Sequence, residues 1–295
     1  MIHYHSCPLC TSNQTSYYLR CTDFLLTGEN YNLFRCNSCG FVFTQDRPDD
    51  KEIGKYYDSQ EYASHNASKG LLNLFYRISR SIMLRIKSSF IKRITGIKSG
   101  YLLDIGSGSG YFLARMKDIG WQVKGIEINE KARETSSSGF GVEVLPPEQL
   151  TLLGDESFDC ITFWHVLEHL SNPELFLKNA LRLLKPGGFC IVALPNCRSF
   201  DTEYYKQYWA AFDVPRHFWH FTPESFSFLS GKAGYPVISV KRLPADVFYI
   251  SMLSEKYKGN KLYIVTGFLK GLWFSFLSAA KKEKTSSLIY IIHKN

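Results

Sequence analysis

A glycine-rich turn lies in the stretch LDIGSGSGYF, at residues 103–112, between a short apolar run and a segment of helical character. Its glycines, Gly106, Gly108 and Gly110, let the chain turn sharply and let a ligand approach the bare backbone. A dinucleotide-binding loop has the spacing G-x-G-x-x-G, whereas here the spacing is G-x-G-x-G and Tyr111 follows. The turn therefore predicts a nucleotide-type cofactor, and its spacing disfavours a dinucleotide.

Two acidic residues accompany this turn. Asp104 comes just before it, where a carboxylate would repel a pyrophosphate but would attract the cationic amino-acid portion of a ligand. Glu127 lies near the end of the next apolar run, where a carboxylate can accept hydrogen bonds from both hydroxyls of a ribose. Together, the turn and the two acids favour S-adenosylmethionine over a nicotinamide dinucleotide.

Four motifs follow one another over about residues 100–195: LLDIGSGSG, GIEIN, SFDCITFWHVLEHL and LLKPGG. In this order they resemble the class I S-adenosylmethionine-dependent methyltransferases. The resemblance implies that Asp104 and the three glycines hold the methionine end of the cofactor, and that Glu127 binds the ribose. It also implies residues that flank the adenine or lie below the methionine, namely Ile128, the Leu145–Pro146 turn, Trp164 and His165.

Apolar runs alternate with amphipathic helical segments after residue 98. The predicted strands cover residues 101–105, 122–128, 142–145, 158–164, 189–195, 235–243 and 287–293. Repeated units of this length predict an α/β fold with a doubly wound, mostly parallel, Rossmann-like methyltransferase sheet that binds ligands at the carboxyl ends of its strands. We assign residues 99–295 to this domain, with an acceptor-site insertion at about 196–225. Pro186-Gly187-Gly188 is expected to separate a helix from the fifth strand.

The segment YYKQYWAAFDVPRHFWHFTPESF, residues 204–226, combines aromatic with titratable side chains after the fifth predicted strand. A similar W-x(n)-D-x-P-R-H-x-x-H-F-T-P run occurs in many small-molecule methyltransferases. We expect His217 or His220 to act as a base and Arg216 to pair with an acceptor phosphate or carboxylate. The alternative is that Arg216 and Asp213 form a structural ion pair while one histidine satisfies a buried carbonyl.

A second candidate set, His165, Glu168 and His169, lies in WHVLEHL after the fourth predicted strand, where we expect a helix to begin. Quinone-biosynthesis O-methyltransferases, which this region resembles, carry Glu-x-x-Glu-His here and are thought to use it for a divalent metal. This chain has His165 in place of the first glutamate. We therefore favour the interpretation that Glu168 and His169 orient the cofactor loop or cap the helix.

Two C-x-x-C pairs, Cys7 with Cys10 and Cys36 with Cys39, lie near the N-terminus. Their spacing is typical of a zinc ribbon, in which a closed four-thiolate Zn²⁺ site is structural. We therefore predict a zinc-ribbon-like module at residues 1–45, with two disulfides as the alternative. The arrangement of this module, a Tyr-rich linker and a methyltransferase core resembles that of sugar C-methyltransferases that act on nucleotide-linked deoxysugars. Those enzymes have a longer C-terminal half.

The net charge of +8 is concentrated in residues 69–98, which contain eight basic residues and no acid. We expect residues 46–98 to form a linker and a basic amphipathic helix with its apolar face on the core. The more specific alternative is a helix that binds anionic lipid or nucleic acid.

Residues 262–280 have the length of a membrane span, but Lys270 and two glycines interrupt them. We expect a helix there that covers the active site or dips into a membrane interface.

The N-terminus shows no charged-then-apolar leader, so we expect a cytoplasmic protein, with a peripheral position at the inner membrane face as a second option.

The sequence predicts an enzyme that methylates a small or lipid-linked metabolite, with a sugar or glycan precursor as the favoured acceptor. The first alternative is an RNA methyltransferase that grips phosphates with the ribbon and the basic helix. The base-amino methylating motif, Asn/Asp-Pro-Pro-aromatic, is absent after the fourth strand, which disfavours nucleic acid. A non-catalytic cofactor-binding scaffold is the second alternative.

Overall fold

The computed structural model describes residues 1–57 and 71–295, with side chains from residue 80 onward in the second range. The strands are, in chain order, β1 (Thr15–Thr22), β2 (Asn30–Cys36), β3 (Val42–Thr44), β4 (Tyr101–Ile105), β5 (Gln122–Ile126), β6 (Val144–Leu145), β7 (Phe158–Trp164), β8 (Leu184–Pro195), β9 (Trp219–His220), β10 (Val237–Arg242) and β11 (Ser287–His293). The α-helices are α1 (Leu71–Thr95), α2 (Tyr111–Asp118), α3 (Glu130–Phe140), α4 (Pro173–Leu183), α5 (Phe200–Tyr205), α6 (Pro223–Lys232), α7 (Asp246–Tyr257) and α8 (Tyr263–Ala280).

The central sheet has the strand order β10-β11-β8-β7-β4-β5-β6. Strands β4 to β8 pair in parallel, whereas β11 runs antiparallel to both of its neighbours. The middle strands are buried on both faces, which explains their continuous apolar runs. The predicted doubly wound, Rossmann-like α/β sheet is confirmed.

Helices cover the central sheet on both faces. On one face, α1 and α2 pack through buried apolar side chains such as Ile91, Leu113 and Met116. On the other face, α4 and α6 contribute Leu181 and Phe226. Because the parallel strands end at one edge of this layer, the loops that follow β4, β5, β7 and β8 gather there.

The N-terminal module forms a second sheet with the order β1-β2-β3-β9. Its fourth strand, β9, belongs to the segment that the sequence assigns to the acceptor site. Phe41 of the module stacks on Trp219 of β9 with 5.9 Å between the ring centroids. Module and methyltransferase domain therefore share a sheet and a core, and residue 45 does not separate two packing units.

Two local predictions are wrong. Strand β8 begins at Leu184, directly after α4, so Pro186-Gly187-Gly188 lies inside the strand. The reason is pairing with the chain end: Gly187 N–H donates to the Lys294 carbonyl at 2.6 Å. The helix expected at WHVLEHL is a single 3₁₀ turn, Leu167–His169. It stops because the Glu168 carbonyl accepts from the Phe218 N–H at 2.9 Å instead of from a following turn.

The predicted basic helix corresponds to α1. Arg85, Lys92 and Arg93 are exposed, whereas the Lys87 ammonium lies 4.4 Å from the ring centroid of Trp164. The basic face is thus solvated in part, and one lysine turns toward the core. Of the predicted linker, the part up to residue 57 includes a short 3₁₀ turn, Ile53–Tyr57, and residues 58–70 lie outside the described residues.

Candidate active site

The glycine turn joins β4 to α2 at the carboxyl edge of the sheet. Gly106 has φ of +76°, and a Cβ there would lie 2.3 Å from a methyl carbon of Val166. Gly108 also has a positive φ, but a Cβ there would meet nothing within 4 Å. Packing therefore requires glycine at position 106, whereas the turn at Gly108 leaves open space of the kind that a ligand can occupy.

Glu127 faces this turn from the loop after β5. Its Oε2 accepts from the Gly108 N–H at 2.8 Å, and its Oε1 accepts from the Asn129 N–H at 2.8 Å. The neighbouring Ile128 side chain is 80% exposed. The structure thus brings Glu127, Ile128 and Gly108 together at one edge of the predicted cofactor site.

Asp104 lies in β4 below the turn and is buried. Its Oδ1 accepts a hydrogen bond from the Thr162 hydroxyl at 2.6 Å. Burial raises the pKa of Asp104 to about 7, although the Thr162 hydrogen bond and the charge of Lys87 act in the opposite direction. A cationic ligand group above this carboxyl would favour its ionised form.

A cavity of about 640 Å³ lies beside this region, at the ends of β7 and β8. Its polar lining includes His165, Glu168, Asp213, His217 and Asp246, together with Lys256 and Ser287. Helix α7 supplies an apolar and aromatic wall that includes Tyr249, Ile250, Leu253 and Tyr257. A mostly apolar cavity with a few converging polar groups is the usual form of a small-molecule site, and we name it the acceptor pocket.

Glu168, His169 and His217 converge in this region, and their ligand atoms lie within 4.8 Å of one another. The His217 ring hydrogen-bonds through Nδ1 to the Ala211 carbonyl at 2.9 Å. Because a carbonyl only accepts, Nδ1 carries the proton and Nε2 keeps its lone pair in the neutral ring. The Nδ1 atom of His169 lies 3.1 Å from the Arg216 carbonyl and 3.0 Å from the Tyr57 hydroxyl. Two imidazole rings and a carboxylate therefore meet within this cluster.

This arrangement fits a divalent metal ion. Both carboxylate oxygens of Glu168 are buried and lack a hydrogen-bond partner among the described residues. Two histidine nitrogens and one carboxylate form a common donor set for transition metals. The carboxylate is kept ionised: burial would raise the pKa of Glu168, but His165 and the other neighbouring histidines lower it below its ordinary value.

His165 forms an ion pair that the sequence alone did not indicate. Its Nε2 lies 2.7 Å from Asp246 Oδ2, at the start of α7, and its Nδ1 lies 3.6 Å from Glu168 Oε1. Burial opposes protonation of the ring, but Asp246 raises the pKa of His165 to about 9. A protonated His165 thus belongs to the pocket wall. The sequence signal that could have pointed to Asp246 is the position of an acidic residue just after a predicted strand.

Arg216 and His220 lie outside the lining of the acceptor pocket. The Arg216 guanidinium pairs with Asp23 of the module at 2.8 Å and with Asp213 at 2.7 Å. The ring of His220 contacts the Thr44 hydroxyl at 3.1 Å, and burial lowers its pKa well below the ordinary value. This geometry favours the structural interpretation of both residues, whereas His217 lines the acceptor pocket.

The four cysteines of the two C-x-x-C pairs also meet. Their sulfur atoms lie within 4.8 Å of one another, with 3.7 Å between Cys7 and Cys39 and 3.5 Å between Cys10 and Cys36. A tetrahedral zinc site with Zn–S bonds of about 2.3 Å separates its sulfur atoms by about 3.8 Å. The cluster thus fits a four-thiolate zinc ion, which stays a prediction.

Comparison with known proteins supports the cofactor assignment. A family model described as a methyltransferase domain matches residues 76–240, more than half of the chain. The ubiquinone biosynthesis O-methyltransferase of Caulobacter vibrioides is 35% identical over 102 residues, which cover 32% of this chain and 40% of that protein. The enzyme of the same name from Cupriavidus pinatubonensis is 30% identical over 118 residues, 38% of this chain and 47% of that protein. The match thus spans less than half the length of these relatives.

Solved structures share the fold. The Burkholderia thailandensis 1,6-didemethyltoxoflavin-N1-methyltransferase, solved with S-adenosylhomocysteine, has a TM-score of 0.51 at 15% identity and covers 88% of this chain and 97% of its own. The cyclase SpnF also has a TM-score of 0.51, at 18% identity, and covers 72% of this chain and 80% of its own. Since one of these two is named a cyclase, the fold does not fix the acceptor. The family match nevertheless confirms the predicted class: this chain belongs to the class I S-adenosylmethionine-dependent methyltransferases.

Proposed function

We propose that this protein transfers the methyl group of S-adenosylmethionine to a hydroxyl oxygen of a small or lipid-linked metabolite. The observation that carries the proposal is the convergence of Glu168, His169 and His217, because Glu168 and His217 line the acceptor pocket. The partial similarity to ubiquinone biosynthesis O-methyltransferases supports an oxygen acceptor. A sugar or glycan precursor is the second acceptor class, since the cysteine module and the linker resemble those of sugar methyltransferases.

The reaction is an in-line displacement in which positioning does most of the work. The acceptor oxygen attacks the methyl carbon, the carbon–sulfur bond breaks, and its electron pair stays on sulfur, which leaves as a neutral thioether. The hydroxyl proton passes to His217 Nε2, whose lone pair is held available by the Nδ1 hydrogen bond to Ala211. The aromatic wall of α7 excludes water and holds an apolar part of the acceptor.

Glu168, His169 and His217 would hold a divalent ion if the enzyme uses one. Such an ion would stabilise negative charge that develops on the acceptor oxygen. His217 would then serve as a ligand, and the proton would leave to solvent. Activity after treatment with EDTA distinguishes the two cases: full activity assigns the proton to His217, whereas loss that Mn²⁺ or Mg²⁺ restores assigns the cluster to a metal.

The proposal is tested with methyl-labelled cofactor and a fractionated extract of the host. Label in small-molecule or lipid fractions supports it, and label in RNA would replace it with the nucleic-acid alternative. Cofactor binding without transfer to any fraction would favour a scaffold.

His217→Asn keeps a donor for Ala211 but removes Nε2, so the rate of methyl transfer should fall about a hundredfold or more. His293→Asn, at the far end of β11, is the matched control and should leave the rate unchanged.

We also propose that Cys7, Cys10, Cys36 and Cys39 hold a structural zinc ion. The support is the sulfur geometry given above together with the role of the module in the fold. Because β3 pairs with β9, the zinc ion would hold the module against the segment that carries His217. Its contribution would be to stability and to the shape of the acceptor pocket, since a four-thiolate site leaves no open position for substrate.

A further inference from the structure

Helix α8 turns its large apolar side chains toward solvent. Exposed positions on this helix include Val265, Phe268, Leu269, Leu272, Trp273 and Phe276, which we call the α8 apolar face. Its opposite side carries small residues that pack on α7: a Cβ at Gly267 would lie 2.4 Å from the Cα of Met252. A surface helix of a soluble protein normally has the reverse arrangement, so the α8 apolar face requires a partner.

Length and composition alone would allow this helix to cross a membrane, and 22% of its residues are buried. Its close packing on α7 and the charge of Lys270 at mid-length argue against a span. The Lys270 ammonium lies 4.3 Å from the Tyr204 ring centroid and 4.9 Å from that of Trp273. A lysine beside aromatic rings at the edge of an apolar stripe is typical of a helix that lies in the plane of a membrane surface.

The charges that flank the α8 apolar face in sequence are mostly positive. Lysines precede and follow the helix in sequence, and over residues 256–284 the sole acidic residue is Glu283. The lysines that flank the helix and are exposed are Lys256, Lys258, Lys261, Lys281 and Lys282. A basic border around an apolar stripe complements an anionic lipid surface. A second copy of this chain would meet the same positive border, which disfavours a symmetric pair.

A second basic surface continues from this border. A cavity of about 670 Å³ lies between α1 and α8. Its basic lining residues are Arg85, Lys87, Arg93, Lys241, Arg242 and Lys284, of which Lys284 pairs with Glu203, and Asp201 is an acidic residue of the same lining. Phe274 and Ser278 of α8 form part of the same cavity, so positive charge and the helix are contiguous. The cavity extends the charge complementarity from the ends of α8 to its flank.

We propose that the α8 apolar face docks this protein onto the surface of an anionic phospholipid bilayer. Helix α7 lies between α8 and the acceptor pocket, because it packs on α8 and lines the pocket with Ile250 and Leu253. Docking would therefore hold the acceptor pocket close to the bilayer. Access to a lipid-linked acceptor rests on the proposed function, whereas docking itself does not.

Vesicle binding by the full chain tests the proposal without any methyl-transfer readout. Co-sedimentation is measured with phosphatidylcholine vesicles and with vesicles that contain about 30% phosphatidylglycerol. We expect binding to the anionic vesicles that is at least about tenfold tighter and that weakens when NaCl is raised from about 0.1 to about 0.5 M. Absence of binding to anionic vesicles by folded protein would overturn the proposal.

Two triple variants locate the surface. Phe268→Gln, Leu272→Gln and Phe276→Gln together should reduce anionic-vesicle binding by about tenfold or more, since they remove the apolar contact. The matched control changes Leu152, Leu175 and Phe228 to Gln, which are comparably exposed but belong to other elements. The control should bind as the natural chain does. Equal loss in both variants would contradict docking through α8.

Trp273 offers a direct readout, because it is 45% exposed while the other four tryptophans are buried. Anionic vesicles should shift its fluorescence to shorter wavelength and protect it from acrylamide, and Trp273→Phe should abolish both changes. Protection of Trp273 that instead grows with protein concentration, without vesicles, would assign the α8 apolar face to a second copy and overturn the proposal. Because these readouts measure binding, their failure is distinct from failure of the proposed methyl transfer.

Discussion

The Arg216 guanidinium donates a hydrogen bond to Asp23 Oδ1 at 2.8 Å, although the two residues are 193 positions apart. Both side chains are at most 1% exposed. Arg216 also donates to Asp213 and to the Tyr56 carbonyl. One guanidinium thus fastens the segment that carries His217 to a loop of the N-terminal module. The wall of the acceptor pocket depends on that module.

Replacement of Asp23 by Asn should destabilise the protein. A buried pair that loses one charged partner typically costs about 3–5 kcal/mol, because the other charge stays buried. Arg216 keeps Asp213, so we expect about 3 kcal/mol in the free energy of unfolding, measured by urea denaturation. Asp46→Asn is the control, since Asp46 pairs with His3 at an exposed site and its loss should cost at most about 1 kcal/mol. Equal effects would show that the buried pair is not a stabilising link.

The sequence predicted the central sheet well because each of its strands carries a local signal. Buried parallel strands appear as continuous apolar runs, and the glycine turn with its two acids has a fixed spacing. The failure at Pro186-Gly187-Gly188 has a long-range cause, since those residues pair with the chain end at Lys294. No local pattern reports a partner that lies more than a hundred residues away.

The candidate site was predicted in part for the same reason. His217 and His220 are three residues apart, and nothing in their local sequence separates a pocket residue from a structural one. Pairing of β9 with β3 turns His220 toward Thr44 and leaves His217 at the pocket. Likewise, Arg216 meets Asp23 only in the folded chain, because 193 positions separate the two residues. The sequence does not single out Asp246, because its partner His165 lies at the end of a different strand.

The cysteine cluster predicts a bound metal. We expect about one zinc ion per purified chain by elemental analysis, and Cys36→Ser should lose it and lower the melting temperature. Cys21→Ser is the control, since Cys21 is equally buried but lies outside the cluster, and it should retain the zinc ion. A metal-free chain whose melting temperature EDTA leaves unchanged would contradict a structural zinc site.

Glu127 should contribute to cofactor affinity. Its carboxylate sits at hydrogen-bond distance from Gly108 N–H and faces the expected ribose position. A hydrogen bond to a charged group contributes about 1.5–3 kcal/mol, so Glu127→Ala should weaken S-adenosylmethionine binding by about 10- to 100-fold. Isothermal titration calorimetry measures this, with Glu134→Ala on the exposed side of α3 as the control. Unchanged affinity in Glu127→Ala would remove Glu127 from the cofactor site.

Asp104 should make both stability and cofactor binding depend on pH. Burial raises the pKa of Asp104 from 3.8, its value in the unfolded chain, to about 7 in the folded chain. Between these two pH values the folded chain keeps a proton on Asp104 that the unfolded chain has already released. Between these values stability falls as pH rises, and the full penalty applies above about pH 7. Asp104→Asn cannot ionise and keeps an acceptor for Thr162. It should therefore be more stable than the natural chain by about 2–4 kcal/mol at pH 8, and similar to it near pH 4.

The same substitution should weaken the cofactor complex, because the ionised carboxylate attracts the cationic methionine end of S-adenosylmethionine. Affinity of the natural chain should increase from pH 5.5 to about pH 8 as a bound cation favours ionisation of Asp104, whereas affinity of Asp104→Asn should stay nearly constant. Asp118→Asn, exposed at the end of α2, controls for a general loss of negative charge. If Asp104→Asn is more stable and binds the cofactor as tightly as the natural chain, Asp104 destabilises the fold without contributing to cofactor binding. If the variant is more stable but binds the cofactor more weakly, the charge of Asp104 lowers folding stability and contributes to cofactor binding.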